Sequence, residues 1–413
     1  MLYYSRMVKR ALYRAALQTL AEDRKLIFIS GPRQCGKTTF ARSLADAYAN
    51  TLYFNWDSIT DKKKFTANPL FFQELNRTDK TPPLIMLDEI HKYSRWKNYL
   101  KGVYDEFADA YQFVITGSGR LDLSKRGGDA LTGRYVSMNL FPFTLSELCS
   151  KRRRLDAFRA DLLHDWDLNP AKETGALWER LSAYGGFPEP FVKNDASFWR
   201  RWSETFAQQI VREDIRTLTE IKDLDTLELL VSMLPSKVGS PFSVNNIAAA
   251  LQVSFDTVKS WIKLLEDFYV SFSIGTWTPK IPRSILKERK LYLYNYPEVS
   301  DASLRFENMA ALELYRAVTL WNDLGWGRFS LHYLKNKEKE EVDFLLAEER
   351  TPFLIIEAKM NDESPSKSLL HFQKVLDIPA VQLTRRDNIR KIIRTGGNDT
   401  LVVSAHRWLS SLP

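Results

Sequence analysis

The most constraining feature of this chain is a glycine-bracketed loop set between a strand and a helix. Leu26-Ile27-Phe28-Ile29 is a short apolar run ending in Ser30-Gly31, the pattern of a strand buried on both faces. Gly31-Pro32-Arg33-Gln34-Cys35-Gly36-Lys37-Thr38 follows, and Thr38 to Ala49 reads as a helix. Gly-x-x-x-x-Gly-Lys-Thr in that setting is a phosphate-binding loop. Its glycines let backbone N–H groups curl around phosphate oxygens, and the helix N-terminus adds its dipole. Leu52-Tyr53-Phe54, Leu84-Ile85-Met86-Leu87 and Phe113-Val114-Ile115-Thr116 read as further strands, with helical stretches between them. A first helix is expected over Val8–Ala21, with Leu12, Ala15, Ala16 and Leu20 on one face. Strand and helix in alternation predict an α/β fold with a parallel sheet covered on both faces.

The loop predicts ATP as ligand. Lys37 would reach the β- and γ-phosphates, and the Thr38 hydroxyl would ligate magnesium. The second half of such a site is an acid at the end of a buried strand, and Leu87-Asp88-Glu89 fits. Asp88 would hold the water shell of the magnesium, and Glu89 would act as general base on the attacking water. Thr116-Gly117-Ser118-Gly119 closes the fourth strand, and Ser118 or Thr116 could orient that water; a satisfied turn hydroxyl is the plainer reading. Phosphoryl transfer also needs a cation on the departing charge. Arg134, in Leu131-Thr132-Gly133-Arg134, is the candidate, entering a neighbouring subunit's site, with Arg120 as rival and a structural ion pair as the plain alternative for both.

A length of 413 residues predicts two or three domains. Hydrophobic residues at 44% and charged residues at 27% are the composition of a soluble globular protein. No apolar run approaches the roughly 20 residues that span a bilayer, and the start of the chain lacks a basic-then-apolar leader, so a cytoplasmic setting without membrane partners is expected. Cys35 and Cys149 are the 2 cysteines, too few for a disulfide framework or a cysteine-rich zinc site. A net charge of +8 and a pI of about 9.2 favour a polyanion partner.

Beyond Cys149 the strand–helix alternation stops. A tryptophan-rich helical stretch runs to Leu234, and Pro235–Pro241 is a breaker cluster. Asn246–Leu251 and Phe255–Leu265 read as helix, tight turn, helix, with Ser254 or Asp256 as N-cap. Phe268–Phe272 and Lys290–Tyr294 could supply a β-wing, with Lys280, Arg283, Lys287, Arg289 and Lys290 along it. Thr257, Lys259, Ser260 and Lys263 are then the candidate DNA-binding residues; a packing module is the competing reading. Further on, Arg328–Leu334, Glu341–Leu346 and Phe353–Lys359 read as strands behind a helix over Phe306–Leu314. If the last two strands are neighbours, Asp343, Glu357 and Lys359 meet at one sheet edge, a pattern for a magnesium or manganese site with an activator of water. A plain amphipathic strand end is the alternative.

With these residues in place the chain resembles a family of bacterial and archaeal AAA-type ATPases that join an ATPase core to a C-terminal domain of unknown function. The resemblance rests on Gly31 through Thr39, Leu87-Asp88-Glu89, Thr116-Gly117-Ser118, Leu131-Thr132-Gly133-Arg134, Tyr184-Gly185-Gly186-Phe187-Pro188-Glu189, Phe306-Glu307-Asn308, Glu341-Val342-Asp343-Phe344 and Ile356-Glu357-Ala358-Lys359. It implies an AAA-type P-loop ATPase core over 1–150, a helical lid over 151–234, a winged helix over 235–297 and a restriction-endonuclease-like PD-(D/E)xK fold over 298–413. In that last fold a helix glutamate, here Glu307, joins the metal site. Cys35 stands where valine is usual, adding an oxidisable thiol beside the phosphates, and Gly119 stands where a second serine is common. The expected function is a homo-oligomeric ATPase, with a hexamer as the suggested size, that couples its nucleotide cycle to DNA processing or remodelling in repair, recombination or defence. The alternative is a nucleotide-dependent switch, or a toxin or signalling component, whose nuclease-like domain is an inactive binding platform.

Overall fold

The computed structural model describes residues 10–117, 131–149, 153–164, 172–216, 221, 223–278, 289–394 and 397–413. Ser118, Arg120, Lys280, Arg283 and Lys287 lie outside these. The chain forms two compact units, Met1–Phe141 and Pro142–Pro413.

The first unit holds a five-stranded parallel sheet in the order β2-β3-β4-β1-β5. Its strands are β1 (Leu26–Ser30), β2 (Thr51–Asn55), β3 (Leu84–Asp88), β4 (Gln112–Thr116) and β5 (Tyr135–Asn139). Its helices are α1 (Ala11–Ala21), α2 (Lys37–Ser43), α3 (Ile59–Ala67) and α4 (Trp96–Phe107). β1, β3 and β4 are buried along their whole length, as continuous apolar runs require. One sheet face packs Phe28, Phe54, Ile85, Leu87, Phe113 and Ile115 against Phe65, Phe71, Phe72 and Leu100. Strand residues alternate faces, so Tyr53, Asp88 and Thr116 point to the opposite side.

Three expectations are corrected. α1 begins at Ala11 and buries Leu12, Tyr13, Ala16, Leu17 and Leu20; Ala15 is exposed, because the apolar stripe is centred on the larger side chains. The helix after the loop ends at Ser43 and tightens into a 3₁₀ turn over Leu44–Ala47. β5 has no counterpart among the expected strands, since only Met138 of its five residues is fully buried and its apolar signal is correspondingly weak.

The second unit is built on a nine-stranded mixed sheet, β13-β14-β12-β11-β10-β9-β7-β8-β6. These strands are β6 (Pro241–Phe242), β7 (Ser271–Thr276), β8 (Arg289–Leu293), β9 (Phe329–Lys335), β10 (Glu341–Glu348), β11 (Thr351–Lys359), β12 (Ala380–Thr384), β13 (Arg390–Ile393) and β14 (Thr400–Ser404). The helices before β7 are α5 (Leu145–Leu148), α6 (Leu155–Ala160), α7 (Lys172–Tyr184), α8 (Pro188–Lys193), α9 (Ala196–Gln209), α10 (Leu224–Met233), α11 (Val244–Leu251) and α12 (Phe255–Asp267), the last two after β6. α13 (Ala302–Asp323), α14 (Lys367–Leu376) and α15 (Ala405–Leu409) complete the unit. α9 runs on into a π-helical turn over Ile210–Ile215.

α11 and α12 are separated by Gln252, which takes the left-handed conformation, and by Ser254, whose Oγ accepts from Thr257 N at 3.0 Å. Of the two strands expected for a wing, the first lies further along and the second begins one residue earlier, at Arg289. Residues 268–270 form a turn in which Tyr269 has φ 57°, and the first wing strand starts at Ser271. β6, β8 and β7 pair antiparallel. β7 then pairs parallel with β9 through Gly275↔His332 and Thr276↔Tyr333. One continuous sheet therefore carries strands from both sides of residue 297. Gly185 ends α7 at φ +72°, and a Cβ on Gly186 would lie 2.0 Å from the Phe143 carbonyl oxygen. That close approach, with Phe143 N donating to Gly186 O at 2.6 Å, explains the paired glycines of the Tyr-Gly-Gly-Phe-Pro-Glu segment.

Candidate functional site

The loop after β1 is shaped by three residues with positive φ: Gly31 at 155°, Gln34 at 60° and Gly36 at 94°. A Cβ on Gly31 would stand 2.1 Å from the Leu140 carbonyl oxygen, so no other residue fits there. From behind, Arg10 donates to Cys35 O at 2.9 Å and Phe141 O at 2.6 Å, and Phe141 N donates to the Tyr13 hydroxyl at 3.2 Å. Arg10 was no part of the expected site; its only sequence signal is a basic residue ahead of α1. Lys37 is buried, and its ammonium donates to Gly31 O at 2.8 Å and Pro32 O at 2.6 Å. The cation is thus held within the loop, where phosphate oxygens would recruit it.

Asp88 ends β3 directly beside this loop. Its Oδ2 accepts from Thr38 Oγ1 at 2.8 Å and from the Tyr53 hydroxyl at 2.6 Å, and its Oδ1 accepts from Thr116 Oγ1. Three hydroxyls from three elements orient one carboxylate. Burial, reinforced by Asp88, pushes the Tyr53 phenol well above its usual range, so it acts only as a donor. Glu89 takes the left-handed conformation at φ 57°, while its N–H donates to Thr116 O at 2.9 Å. A non-glycine residue in that region is uncommon and turns the side chain out of the strand. Its Oε2 lies 3.4 Å from Lys92 Nζ and 3.6 Å from His91 Nε2. Burial holds the His91 imidazole below its ordinary range, against the pull of Glu89.

Arg134 is 2.6 Å from Asp105 through Nε, an ion pair within its own unit. Cys35, expected as an oxidisable thiol beside the phosphates, is fully buried, and its thiol donates to Leu140 O at 3.3 Å.

In the second unit α12 buries Val258, Trp261 and Leu265 and exposes Lys259, Ser260 and Lys263. Thr257 Oγ1 lies 2.8 Å from Ser254 Oγ, so this hydroxyl is engaged in the cap rather than open to a ligand.

β10 and β11 are antiparallel neighbours with Phe344 opposite Ile356, which brings Asp343 beside Glu357. Asp343 Oδ2 accepts from Ala358 N at 3.0 Å, and Glu357 pairs with Lys359 at 3.0 Å. Glu307 reaches the same place from α13. The centre of the cluster, however, is a residue outside the expected set. Lys290 Nζ lies 2.7 Å from Glu341, 3.1 Å from Glu307 and 3.5 Å from Asp343. Burial opposes its charge, but Glu307, Asp343 and Glu341 outweigh that and hold it above the ordinary lysine range. Among the described residues no group of three or more His, Cys, Asp or Glu is disposed to hold a metal ion. Of the residues expected to form a cation site there, Glu307, Asp343, Glu357 and Lys359 come together as described, and the Lys290 ammonium stands beside Glu307 and Asp343.

Residues 23–149 match the profile of the AAA domain, and residues 175–296 match a domain of unknown function (DUF8612). An uncharacterized protein of Haemophilus influenzae is 23% identical over 94% of this chain and 94% of its own length. An uncharacterized protein of Mycobacterium tuberculosis is 23% identical over 69% of this chain and 56% of its own. Among solved structures, the Aeropyrum pernix ORC1 protein in complex with DNA is 15% identical with a TM-score of 0.31, covering 73% of this chain and 91% of that one. The replication initiator DnaA bound to AMPPCP and single-stranded DNA is 16% identical with a TM-score of 0.31, covering 63% and 88%. Among the described residues no helix is long and apolar enough to cross a membrane.

Proposed function

We propose that this chain, an AAA domain followed by a domain of unknown function, binds and hydrolyses ATP and uses the cycle to act on DNA. The observation that carries the first half is the 2.8 Å bond between Thr38 and Asp88. It brings the end of the phosphate loop and the end of β3 together beside the Lys37 ammonium, the arrangement that phosphoryl transfer needs.

Lys37 would exchange its loop carbonyls for the β- and γ-phosphates. Thr38 and Asp88 would hold magnesium, which supplies charge neutralisation on the phosphates when bound. Tyr53 and Thr116 fix the Asp88 carboxylate for that task. Glu89, turned out of the strand, would take the proton of the attacking water, with Ser118 or Thr116 orienting it. Arg134 would serve a neighbouring subunit only after leaving Asp105, so its role depends on assembly into a homo-oligomer. The remaining loop residues, Pro32, Arg33, Gln34 and Thr39, would line the phosphate site.

For DNA the support is the basic balance of the chain and the exposed Lys259, Ser260 and Lys263 beside a three-stranded wing. In this reading 1–150 is the ATPase core, 151–234 a helical lid, 235–297 a winged helix and 298–413 a restriction-endonuclease-like fold, all in the cytoplasm.

The test is nucleotide binding set against turnover. Lys37→Ala is expected to lose both. Glu89→Gln is expected to bind a fluorescent ATP analogue normally while phosphate release falls by about 10²–10⁴-fold. Normal turnover by Glu89→Gln removes Glu89 from the base role, and tight binding by Lys37→Ala removes the phosphate-loop reading.

A further inference from the structure

The acidic cluster of the second unit has an ammonium at its centre. Lys290 comes from β8, opposite Ile274 of β7 and Pro241 of β6, and its side chain is 1% exposed. It reaches three carboxylates from two elements: Glu307 on α13, and Glu341 and Asp343 on β10, where Glu341 and Asp343 point to the same face. At 2.7, 3.1 and 3.5 Å from these oxygens, Nζ fills the space between the acids with ammonium–carboxylate separations, longer than the roughly 2.0–2.1 Å of a magnesium–oxygen bond.

The carboxylates have further partners besides. Tyr292 donates to Glu307 Oε1 at 2.7 Å. Lys335 lies 3.3 Å from Glu341 Oε2. Ser366 donates to Glu357 Oε2 and Lys359 lies 3.0 Å from Glu357 Oε1. The loop ahead of β6 closes in beside Glu307. Gly239 has φ +74°, and a Cβ there would come within 3.2 Å of Glu307 Oε2. A second cation entering this pocket would meet an ammonium at near-contact distance in a low dielectric, which is strongly repulsive.

We infer that Lys290 is a built-in cation that takes the metal position of this cluster, so that the second unit engages its ligand without a divalent ion. The residues do not fit a metal-dependent nuclease. They fit a binding module whose acidic centre is neutralised from within, leaving Lys359, at 36% side-chain exposure, as the accessible positive group at the end of β11. The inference rests on the acid cluster alone and is independent of the ATP reading.

Manganese binding tests it, read by electron paramagnetic resonance on full-length, nucleotide-free protein with Mn²⁺ as the only added ion. Weak binding at the phosphate loop is common to all variants, so the readout is what Asp343→Asn changes. Wild type and Asp343→Asn are expected to bind Mn²⁺ equally. Lys290→Met is expected to gain one Mn²⁺ per chain and to lose it again in Lys290→Met/Asp343→Asn. Wild-type binding that disappears with Asp343→Asn overturns the inference, as does a folded Lys290→Met that gains no ion. Should Lys290→Met fail to fold, the wild-type comparison with Asp343→Asn decides alone.

Discussion

Asp88 shows why part of the candidate site can be read along the chain and part cannot. Its pairing with Thr38 is implied by motif spacing, because a strand–loop–helix unit and the neighbouring strand end have to meet at the carboxyl edge of a parallel sheet. Its bonds to Tyr53 and Thr116 depend on the registers Asn55↔Asp88 and Asp88↔Thr116, which no local pattern encodes. Lys290 is the stronger case. Its partners lie 17 and 53 residues away, and in sequence it is one basic residue among several along an expected wing. Glu313 is another acid whose importance only packing reveals. It is buried on α13, accepts from Leu145 N at 2.6 Å, and its other oxygen has no hydrogen-bond partner among the described residues. Burial pushes its carboxyl from 4.5 up to about 7, with Arg316 and the Leu145 amide pulling the other way. A folded-state pKa raised above the unfolded one gives stability that is full below pH 4.5 and lost as pH rises to about 7. The loss is on the order of 3 kcal/mol. Urea titrations at pH 5 and pH 8 should show the second unit weaker at pH 8, and Glu313→Gln should flatten the difference. An equal pH dependence in the variant would exclude Glu313 as its source.

At the scale of elements, the buried strands β1, β3 and β4 were legible because continuous apolar runs of three or four residues bounded by polar ones mark buried strands. β5 was not, because four of its five residues are only partly buried. α12 was legible for a different reason: Ser254 caps it, and Val258, Trp261 and Leu265 repeat at helical spacing. Its outward face carries the DNA prediction. Removing both Lys259 and Lys263 should weaken binding to every duplex sequence alike. It should also reduce the slope of log K against log salt by about 2, given roughly 0.9 per neutralised phosphate. A variant with unchanged affinity and slope places the contact elsewhere.

The whole molecule consists of an AAA unit with a parallel sheet and a second unit whose single mixed sheet runs from β6, β8 and β7 to the C-terminal strands. The continuity through β7 and β9 was not legible from the breaker cluster and strand spacing, because parallel pairing of strands more than fifty residues apart leaves no local signature. It joins the candidate DNA face on α12 to the acid cluster within one structural unit. The proposed function requires ATP turnover in the first unit to be coupled to DNA. Steady-state phosphate release should therefore be measured with full-length protein alone and with duplex, forked and four-way junction DNA, at low and high salt. At least one DNA form is expected to stimulate turnover, with the stimulation lost at high salt, weakened by Lys259→Ala/Lys263→Ala and absent in Glu89→Gln. Turnover that is identical with and without every DNA form would contradict it.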